Sequence, residues 1–310
     1  MKVFIDGSAG TTGLRIHERL ASRADIEMIV LSEEYRKDKN ARHDAINSAD
    51  IAFLCLPDDA AREAVTLIEG DTAVIDTSTA HRVASGWVYG FPELPGQREK
   101  IASGRRIANP GCHASGFVSL VAPLVKAGLL AKDAALTCFS VTGYSGGGKK
   151  MIAEYEAPTG ISPLLGAPRQ YGISQTHKHL PEMAAICGLE NAPVFCPIVA
   201  NFYSGMEVTV PLFGSQLKGT LEDVKNAYKE LYTTPLVHFD DGADETGFLS
   251  AAAFSGYDDM QISVAGNSSR MILTARFDNL GKGASGSAIQ NMNILMGVDE
   301  TCGLVLSRKN

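Results

Sequence analysis

The first third of the chain alternates apolar, strand-like segments with helical patterns, and this alternation limits the fold more than any other feature. The first segment, Lys2–Ile5, leads into a glycine-rich stretch and then into a helical pattern that continues to about Leu20. Further strand-like segments are Glu27–Leu31, Ile51–Leu56, Thr72–Asp76 and Arg106–Ala108. Because strands that alternate with helices build parallel sheets covered on both faces, this part predicts an α/β fold with a doubly wound sheet.

Glycines occupy positions 7, 10 and 13 of the stretch after the first strand, in the pattern GxxGxxG. Glycines at a strand-to-helix turn let the backbone approach a pyrophosphate, which then lies at the N-terminus of the helix. In an alternating domain this favours a Rossmann-type dinucleotide site, whereas a purely structural turn is the alternative. The residues expected to contact the dinucleotide here are Gly7, Ser8, Gly10, Thr11, Thr12 and Gly13.

The residues after the second strand segment bear on the choice between NAD and NADP. Glu33 lies about 20 residues beyond the glycine loop, where an acid would bind a ribose 2′-hydroxyl. Arg36, Lys37 and Lys39 follow closely and could bind a 2′-phosphate instead. A solvated charged loop is the third interpretation, so these residues alone leave the choice open.

The composition is that of an ordinary globular protein. Of 310 residues, 45% are hydrophobic and 20% are charged, which allows two domains with separate cores. The net charge of −7 argues against nonspecific nucleic-acid binding, which requires a basic surface. No secretory pattern and no uncharged apolar run of roughly 20 residues is found, so neither export nor a membrane span is expected. Six scattered cysteines without a CxxC pair are expected to be free thiols, and we predict a cytoplasmic protein.

The rest of the chain is expected to form a second domain. Segments rich in β-forming residues at Leu136–Thr142, Val194–Phe202, Met206–Leu212 and Gln261–Arg276 predict an α+β domain with a mixed or antiparallel sheet. A final helix over residues 284–296 carries an apolar stripe and is expected to return to the first domain. The predicted division is 1–113 with 285–310 for dinucleotide binding, and 114–284 for catalysis, substrate binding and oligomerisation. Edge strands favour a homodimer or homotetramer over a monomer.

Cys112 follows the Pro-Gly turn of Asn109-Pro110-Gly111 and precedes apolar residues at helical spacing. We therefore expect it at a helix N-terminus, where unpaired backbone N–H groups and the helix dipole favour a thiolate. A lowered pKa is what makes such a cysteine a nucleophile. The alternative is that Cys112 is a small buried apolar residue, as free cysteines usually are, and position alone does not decide between the two.

A second polar segment, His177-Lys178-His179-Leu180-Pro181-Glu182, supplies groups that can move protons near neutral pH. His177 and His179 alternate in what we expect to be an extended segment, so both side chains would face one side before Pro181 opens a helix. Two histidines and Glu182 could also bind a metal ion. No other ligand cluster accompanies them in the sequence, so no metal is expected.

Together these features resemble the N-acetyl-γ-glutamyl-phosphate reductase family in its shorter variant, within the wider semialdehyde-dehydrogenase group. The motifs that carry the resemblance are the glycine loop, Asn109–Cys112, His177–Glu182 and Asp278–Gly286, within a span from Gly7 to Asn293. The resemblance implies NADPH-dependent reduction of an acyl phosphate to an aldehyde in arginine biosynthesis, through a thioester on the cysteine. It also implies NADP contacts by Ser32, Arg36 and Lys37, and it places Asn279 and Gly283 near the nicotinamide.

By motif, the resemblance assigns Cys112 as the nucleophile, His177 as the acid/base residue and Glu182 as its supporting carboxylate. The residue after the cysteine is commonly aromatic in longer relatives but is a histidine here, so His113 is a rival for the proton transfer. His179, the second histidine of its segment, is another. The nearest alternative function is the same chemistry on aspartyl or aminoadipyl phosphate. A noncatalytic dinucleotide-binding sensor is a further alternative, although a sensor would not need these side chains.

The acyl phosphate would also need cationic or N–H partners. Ser145, Gly146 and Lys149 lie in a glycine-rich stretch that resembles an active-site loop of the family. Arg82 is a second candidate, and Tyr171 matches a tyrosine of the family near the site. Glycine-rich stretches are often plain turns and tyrosines often serve only in packing, so ordinary structural roles stay open.

Overall fold

The computed structural model describes residues 1–307 and contains two compact units. The first unit consists of Met1–Gly111 and Ala284–Leu304, and the second consists of Cys112–Gly283 and the segment that starts at Val305. The predicted first domain extends to residue 310, and its last three residues lie outside the described residues. No helix within residues 1–307 combines the length and the apolar character needed to cross a membrane.

The strands, in chain order, are β1 (Lys2–Asp6), β2 (Glu27–Ile29), β3 (Ile51–Leu54), β4 (Ala73–Asp76), β5 (Val88–Tyr89), β6 (Arg106–Ala108), β7 (Thr137–Gly143), β8 (Arg169–Gln170), β9 (Val194–Ala200), β10 (Met206–Phe213), β11 (Val237–Phe239), β12 (Met260–Gly266) and β13 (Arg270–Phe277). The α-helices are α1 (Thr11–Leu20), α2 (Lys39–Ser48), α3 (Asp58–Val65), α4 (Gln97–Ser103), α5 (Cys112–Lys126), α6 (Gly148–Tyr155), α7 (Leu180–Cys187), α8 (Leu221–Leu231) and α9 (Gly286–Met296).

The sheet of the first unit has the order β2-β1-β3-β4-β6-β5, and all of its strand pairs are parallel. Alternate residues of the strands enter two separate cores, because successive side chains of a strand point to opposite faces. Ile5 packs in one core with Ile16 and Ile289 of the helices, whereas Phe4 packs in the other with Ile46. A parallel sheet buried on both faces confirms the predicted doubly wound α/β fold.

Three elements of the first unit were not predicted, and each has a weak local pattern. Strand β5 has only two residues. Helix α2 is mostly polar and buries Ala45 and Ile46. It begins where the Asp38 carboxylate accepts a hydrogen bond of 2.8 Å from the N–H of Ala41, and such a cap stabilises a helix that few apolar residues mark. Helix α4 spans seven residues and buries only Ile101.

The sheet of the second unit has the order β11-β12-β13-β10-β7-β9-β8. The β7–β9 and β11–β12 pairs are parallel and the remaining pairs are antiparallel, which confirms the mixed-sheet alternative. The single segment predicted at Gln261–Arg276 is a hairpin of β12 and β13, which turns after Gly266 with φ +120°. The prediction did not mark this turn, although Gly266-Asn267-Ser268-Ser269 are residues typical of a turn.

Helix α5 packs on one face of the second sheet, and a glycine in its second turn sets the distance. A Cβ at Gly116 would lie 2.4 Å from Val208 on β10 and 3.1 Å from Phe277 on β13. The absence of a side chain therefore lets the start of the helix approach the sheet closely. Since α5 begins at Cys112, this packing fixes the cysteine relative to the strands of its own unit.

Candidate active site

The glycine loop joins β1 to α1, and its shape depends on two of its three glycines. Gly7 has φ +87°, a conformation that favours glycine, and a Cβ there would lie 2.3 Å from the carbonyl oxygen of Cys55. A Cβ on Gly13 would lie 2.5 Å from the carbonyl oxygen of Gly7. Gly10 is the N-cap of α1, and a Cβ there would come no closer than 3.4 Å to another atom. The loop is therefore built from backbone packed against backbone.

A cavity of about 550 Å³ lies beside this loop. Its lining consists of loop residues, apolar residues of β1 and β2, and charged residues of the turn after β2, including Gly7, Ser8, Glu33, Arg36 and Lys37. Its volume is in the range of small-molecule and cofactor pockets. Thr11 and Thr12 open α1, where the N-cap residue offers no side-chain hydrogen bond, so the first N–H groups of the helix suit an anion.

Ser32 does not line this cavity, although it was expected to contact the cofactor. Its carbonyl oxygen accepts hydrogen bonds from the N–H groups of Tyr35 and Arg36, at 3.0 and 3.1 Å. The backbone of Ser32 therefore shapes the turn that carries Arg36 and Lys37 into the lining.

Charges of both signs meet in the cavity. Arg36 pairs with Glu33, so the acid that could favour NAD is already bound to a cation. Asp6, at the end of β1, also lines the cavity, and Arg42 donates to its carboxylate at 2.9 Å. Burial raises the pKa of Asp6, although the Arg42 guanidinium opposes that rise. Sequence reasoning missed Asp6 and Arg42, because nothing local links two residues on different elements.

Arg82 follows β4 in the first unit and is a fixed, buried side chain. Its Nε donates to the carbonyl oxygen of Asn109 at 3.0 Å, and a terminal nitrogen donates to that of Thr77 at 3.1 Å. Beside it, Nδ1 of His81 lies 2.6 Å from the buried carboxylate of Asp76. Arg82 is thus held by backbone carbonyls of its own unit, as a positioned cation would be.

Cys112 is the first residue of α5, as predicted, and is half-buried. A Cβ on Gly283 would lie 3.0 Å from the Cβ of Cys112, so the missing side chain at Gly283 leaves room beside the cysteine. Burial raises the pKa of the Cys138 and Cys187 thiols, which makes both poor nucleophiles. Gly283 was expected near the nicotinamide, and within the second unit it lies against Cys112.

His113, the next residue of α5, is buried and has both ring nitrogens in hydrogen bonds. Nδ1 lies 2.6 Å from the hydroxyl of Ser140 on β7, and Nε2 lies 2.6 Å from the hydroxyl of Tyr171. Burial, with a smaller effect of His177, lowers the pKa of His113 to about 3. The ring therefore stays neutral near pH 7, which disfavours it as the group that gains and loses a proton.

The segment of His177 and His179 is a turn, so the predicted extended conformation is wrong. The N–H of His179 donates to Nδ1 of His177 at 3.2 Å, and the N–H of Leu180 donates to the His177 carbonyl at 3.0 Å. The turn forms because α7 begins at Leu180 with Pro181 in its first turn, and His179 is its N-cap. The two rings are nevertheless close, with centroids 4.8 Å apart.

The rings around His177 form one cluster in the second unit. Its centroid lies 5.7 Å from that of His113, 5.9 Å from that of Tyr171 and 5.1 Å from that of Phe195. Burial is the main cause that raises the pKa of Tyr171, and the charge of Cys112 adds to it. Glu182 is buried in the first turn of α7. The structure thus gathers residues from α5, β9 and the loops before α7 at one place.

The glycine-rich stretch after β7 is a 3₁₀ turn, Tyr144–Gly147, that continues into α6. Ser145 is buried, and its hydroxyl accepts a hydrogen bond of 3.0 Å from the side-chain amide of Asn279. The Asn279 oxygen in turn accepts from the N–H of Gly205 at 2.9 Å. Gly146 and Lys149 are exposed. The hydrogen bond between Ser145 and Asn279 therefore fixes both side chains, whereas Gly146 and Lys149 are accessible to solvent.

Two further residues of the cluster were missed by sequence reasoning. Ser140 is a buried polar residue on the inner side of β7, and Phe195 packs on His113 at a centroid distance of 5.2 Å. A polar residue at a core position of an apolar strand was the one local signal for Ser140. Residues 1–307 contain no group of three or more His, Cys, Asp or Glu side chains that could hold a metal ion.

Comparison with known proteins matches both units. The semialdehyde dehydrogenase NAD binding domain matches residues 33–103, and the semialdehyde dehydrogenase dimerisation domain matches residues 112–279. The N-acetyl-gamma-glutamyl-phosphate reductase of Brucella ovis is 46% identical over 96% of this chain and 99% of that protein. The N-acetyl-gamma-glutamyl-phosphate reductase 2 of a Nostoc species is 43% identical over 98% of this chain and 99% of that protein.

A solved structure shares the fold at much lower identity. Aspartate semialdehyde dehydrogenase II from Vibrio cholerae, complexed with ASA, aligns with a TM-score of 0.71 over 96% of this chain and 98% of that one. Its sequence identity of 18% makes this a likeness of fold alone.

Proposed function

Because this chain belongs to the N-acetyl-γ-glutamyl-phosphate reductase family, we propose that it reduces N-acetyl-γ-glutamyl phosphate to N-acetylglutamate 5-semialdehyde and phosphate, a step of arginine biosynthesis. The observation that carries the proposal is Cys112 at the first position of α5, half-buried and next to the space that Gly283 leaves. The six cysteines are free thiols, which suits a reducing compartment, and we place the reaction in the cytoplasm.

Cys112 is the proposed nucleophile. Its thiolate attacks the acyl carbon, the carbon–oxygen bond to phosphate breaks, and the acyl group remains on sulfur as a thioester. The first N–H groups of α5 have no partner within the helix, so they can stabilise the oxyanion that develops at the acyl oxygen. After reduction of the acyl carbon, the carbon–sulfur bond breaks and the semialdehyde leaves. Cysteine suits both steps because it is a strong nucleophile and a good leaving group.

His177 is the proposed acid/base residue, with Glu182 as its supporting carboxylate. Collapse to the aldehyde requires a proton to leave the hydroxyl oxygen, and a histidine can accept it near neutral pH. Of the two rivals, His113 is disfavoured because its pKa is lowered to about 3. His179 is also less suited, since it is the buried N-cap residue of α7.

NADP is the proposed cofactor, and its reduced form, NADPH, would supply the hydride that reduces the acyl carbon. The cavity beside the glycine loop fits a dinucleotide, because its backbone loop lies at a helix N-terminus and because Arg36 and Lys37 line it together. Arg36→Ala should weaken NADPH binding by about 10- to 100-fold and leave NADH binding almost unchanged, since a charge-assisted contact to the 2′-phosphate is lost. Equal effects on both cofactors, measured by fluorescence titration, would reject this assignment.

The substrate contacts are proposed on position and charge. Lys149 and Gly146 are exposed and offer a cation and an N–H group. Arg82 offers a fixed guanidinium. Ser145 would act through Asn279, with which it shares a hydrogen bond. Tyr171 would orient groups at Cys112, because the charge of Cys112 contributes to the raised pKa of its hydroxyl.

A homodimer through the outer face of the second sheet belongs to the same proposal. Cross-strand pairing places Phe139, Pro211 and Ile272 on that face, and Phe139 and Ile272 are exposed. A mainly apolar cavity of about 520 Å³ lies there. An exposed apolar sheet face suits a second copy of the chain, as does the match to a dimerisation domain. Ile272→Lys should yield monomers in analytical ultracentrifugation, and an unchanged mass would reject this interface.

Rates with a panel of semialdehydes, measured with NADP⁺ and phosphate, test the proposed reaction. N-acetylglutamate semialdehyde should give the highest kcat/KM, and a preference for aspartate semialdehyde would reject the proposed substrate. Cys112→Ser should reduce kcat by about four orders of magnitude or more without loss of NADP binding. Undiminished turnover by that variant would reject the mechanism.

A further inference from the structure

His113 links two hydroxyl groups in one buried chain. On one side Nδ1 lies 2.6 Å from the Ser140 hydroxyl, and on the other Nε2 lies 2.6 Å from the Tyr171 hydroxyl. Ser140 and His113 are buried, at 0% and 3% exposure, and Tyr171 is half-buried at the outer end. The hydrogen-bond chain therefore runs from Ser140 on the inner side of β7, through His113 next to Cys112, to the phenol of Tyr171 at the edge of the ring cluster.

A neutral imidazole has one N–H donor and one acceptor nitrogen, so the donors and acceptors of this hydrogen-bond chain can be arranged in only two directions. In one direction the Ser140 hydroxyl donates to Nδ1 and the Nε2–H donates to the Tyr171 oxygen, which leaves the phenolic proton for another acceptor. In the other direction Tyr171 donates its proton to Nε2 and has none left to offer. The direction of the chain thus decides whether Tyr171 is a donor toward the reaction.

We propose that His113 is a positioning residue that accepts a hydrogen bond from Ser140 and donates one to Tyr171, so that the Tyr171 hydroxyl donates toward the sulfur of Cys112. The proposal rests on Cys112 as the nucleophile, and it adds roles for His113 and Ser140 that the family motifs do not assign. The direction follows from charge, because a negative sulfur attracts the positive end of the O–H dipole. That donor would stabilise the thiolate before attack.

The surroundings of His113 agree with this direction. The titratable rings that face it are those of Tyr171, His177 and His179, and the remaining ring in contact is Phe195. Burial and His177 both keep His113 neutral, so a single tautomer can persist across the working range of pH. The charge of Cys112 helps to keep Tyr171 protonated, which retains the proton that the chain is proposed to present.

The tautomer of His113 can be observed directly in the unmodified protein. In ¹⁵N-histidine-labelled protein, the signals of His113 are identified by their loss in His113→Phe. The proposal requires a proton on Nε2 and none on Nδ1 at neutral pH. A proton on Nδ1 would overturn the proposal, and this result does not depend on how well any other variant folds.

Alkylation of Cys112 measures the consequence. The rate of its reaction with iodoacetamide is followed against pH by mapping the modified peptide, and the midpoint gives the pKa of the thiol. Tyr171→Phe and His113→Phe should each raise that pKa by about one unit, since a hydrogen bond to a charged group is lost. The double variant should shift it no further than Tyr171→Phe alone, because both changes break one chain. Ser140→Ala should shift it in the same direction, by less.

Two buried hydroxyls near α5 provide matched controls. Ser119 donates to the carbonyl oxygen of Gly116 at 2.7 Å, and Tyr232 donates to that of Ser119 at 2.6 Å. Ser119→Ala and Tyr232→Phe should leave the alkylation profile unchanged. Shifts in the His113 and Tyr171 variants no larger than in these controls would overturn the proposal. Since alkylation needs no substrate, a protein that fails to reduce N-acetyl-γ-glutamyl phosphate but shows these shifts would reject only the proposed function.

Discussion

The glycine loop of the first unit and the cluster of side chains around Cys112, His113 and His177 in the second unit are built in different ways. The loop is one short stretch in which Gly7 packs against the backbone of Cys55 and Gly13 packs against the backbone of Gly7. The cluster consists of side chains from separate elements, among them Cys112, His113 and His177, that only the folded sheet brings together. The loop therefore depends on the absence of side chains, and the cluster depends on their presence and exact rotamers.

Because of this difference, the loop and the cluster should tolerate different kinds of substitution. A loop that binds through backbone N–H groups should accept changed side chains at positions such as Ser8, provided that the glycines remain. A cluster held by hydrogen bonds between side chains should respond to small displacements, because catalysis depends on the placement of reacting atoms. Substitutions that add a single methyl group test both statements.

Among the substitutions that add a single methyl group, those in the loop should have the largest effect. Gly7→Ala must force a Cβ to within 2.3 Å of the Cys55 carbonyl oxygen at φ +87°, and Gly13→Ala must place one 2.5 Å from that of Gly7. Both variants should weaken NADPH binding by about 100-fold or more, since the backbone has to move to relieve the clash. Isothermal titration calorimetry measures the change.

Gly10→Ala is the matched control within the same motif. Its new Cβ would lie 3.4 Å from the nearest atom, at ordinary backbone angles, so NADPH affinity should change by about threefold or less. If Gly10→Ala were as harmful as Gly7→Ala, close backbone packing would not be what the loop requires.

A smaller effect is expected from Gly283→Ala in the second unit. The added Cβ would lie 3.0 Å from that of Cys112 and 3.1 Å from the carbonyl oxygen of Asp278, so the cysteine has to shift by a few tenths of an ångström. The kcat should fall by about 10- to 100-fold while NADPH affinity stays the same.

Gly166→Ala serves as the control for that variant, because a Cβ there would meet no atom within 4 Å and the residue lies outside the cluster. Its steady-state rates should match those of the unmodified protein. Loss of NADPH affinity with retained kcat in Gly283→Ala would contradict its placement beside Cys112 and favour the contact with the cofactor that the sequence suggested.

The smallest effect concerns stability against pH. His113 has a pKa of about 3 in the fold against 6.5 for an unperturbed histidine, so below about pH 6.5 the unfolded chain binds a proton that the folded chain does not. Its contribution to stability is complete above that pH and is lost as the pH falls toward 3, by about 1.4 kcal/mol per unit. His113→Phe should remove this slope. Urea denaturation at about pH 7.5 and about pH 5 should show the difference in free energy of unfolding between the two proteins change by about 2 kcal/mol.

A difference that stays constant between those two pH values would mean that His113 does not remain neutral in the fold. A variant in the glycine loop serves as the control for this experiment. Gly10→Ala removes no titratable group, so its difference from the unmodified protein should not vary with pH.

The sequence predicts well those features that neighbouring residues encode. The glycine loop, the parallel strands and the position of Cys112 at a helix start are encoded by neighbouring residues, and the structure confirms each of them. The family resemblance, drawn from a few local motifs, is also confirmed. Local patterns are sufficient where a motif and its structure occupy the same short stretch.

The cluster shows where local patterns fail. The turn at His177 and His179 was mistaken for an extended segment, because alternation of two residues carries no information about the helix cap that bends the chain. Ser140 is distant in sequence from His113, and only the packing of α5 on the second sheet brings them together. Strand β5 and helix α2 lack an apolar periodicity and depend on tertiary contacts or a cap.

If Cys112 is the nucleophile, its sulfur must form a covalent bond to the acyl group. The most direct measurement is mass spectrometry of the protein mixed with freshly made N-acetyl-γ-glutamyl phosphate in the absence of NADPH. One phosphate should be released per site, and the peptide that contains Cys112 should carry an N-acetylglutamyl group, with neither in Cys112→Ser. Turnover of the same preparation on addition of NADPH, without any acyl group on Cys112 beforehand, would contradict this role of Cys112.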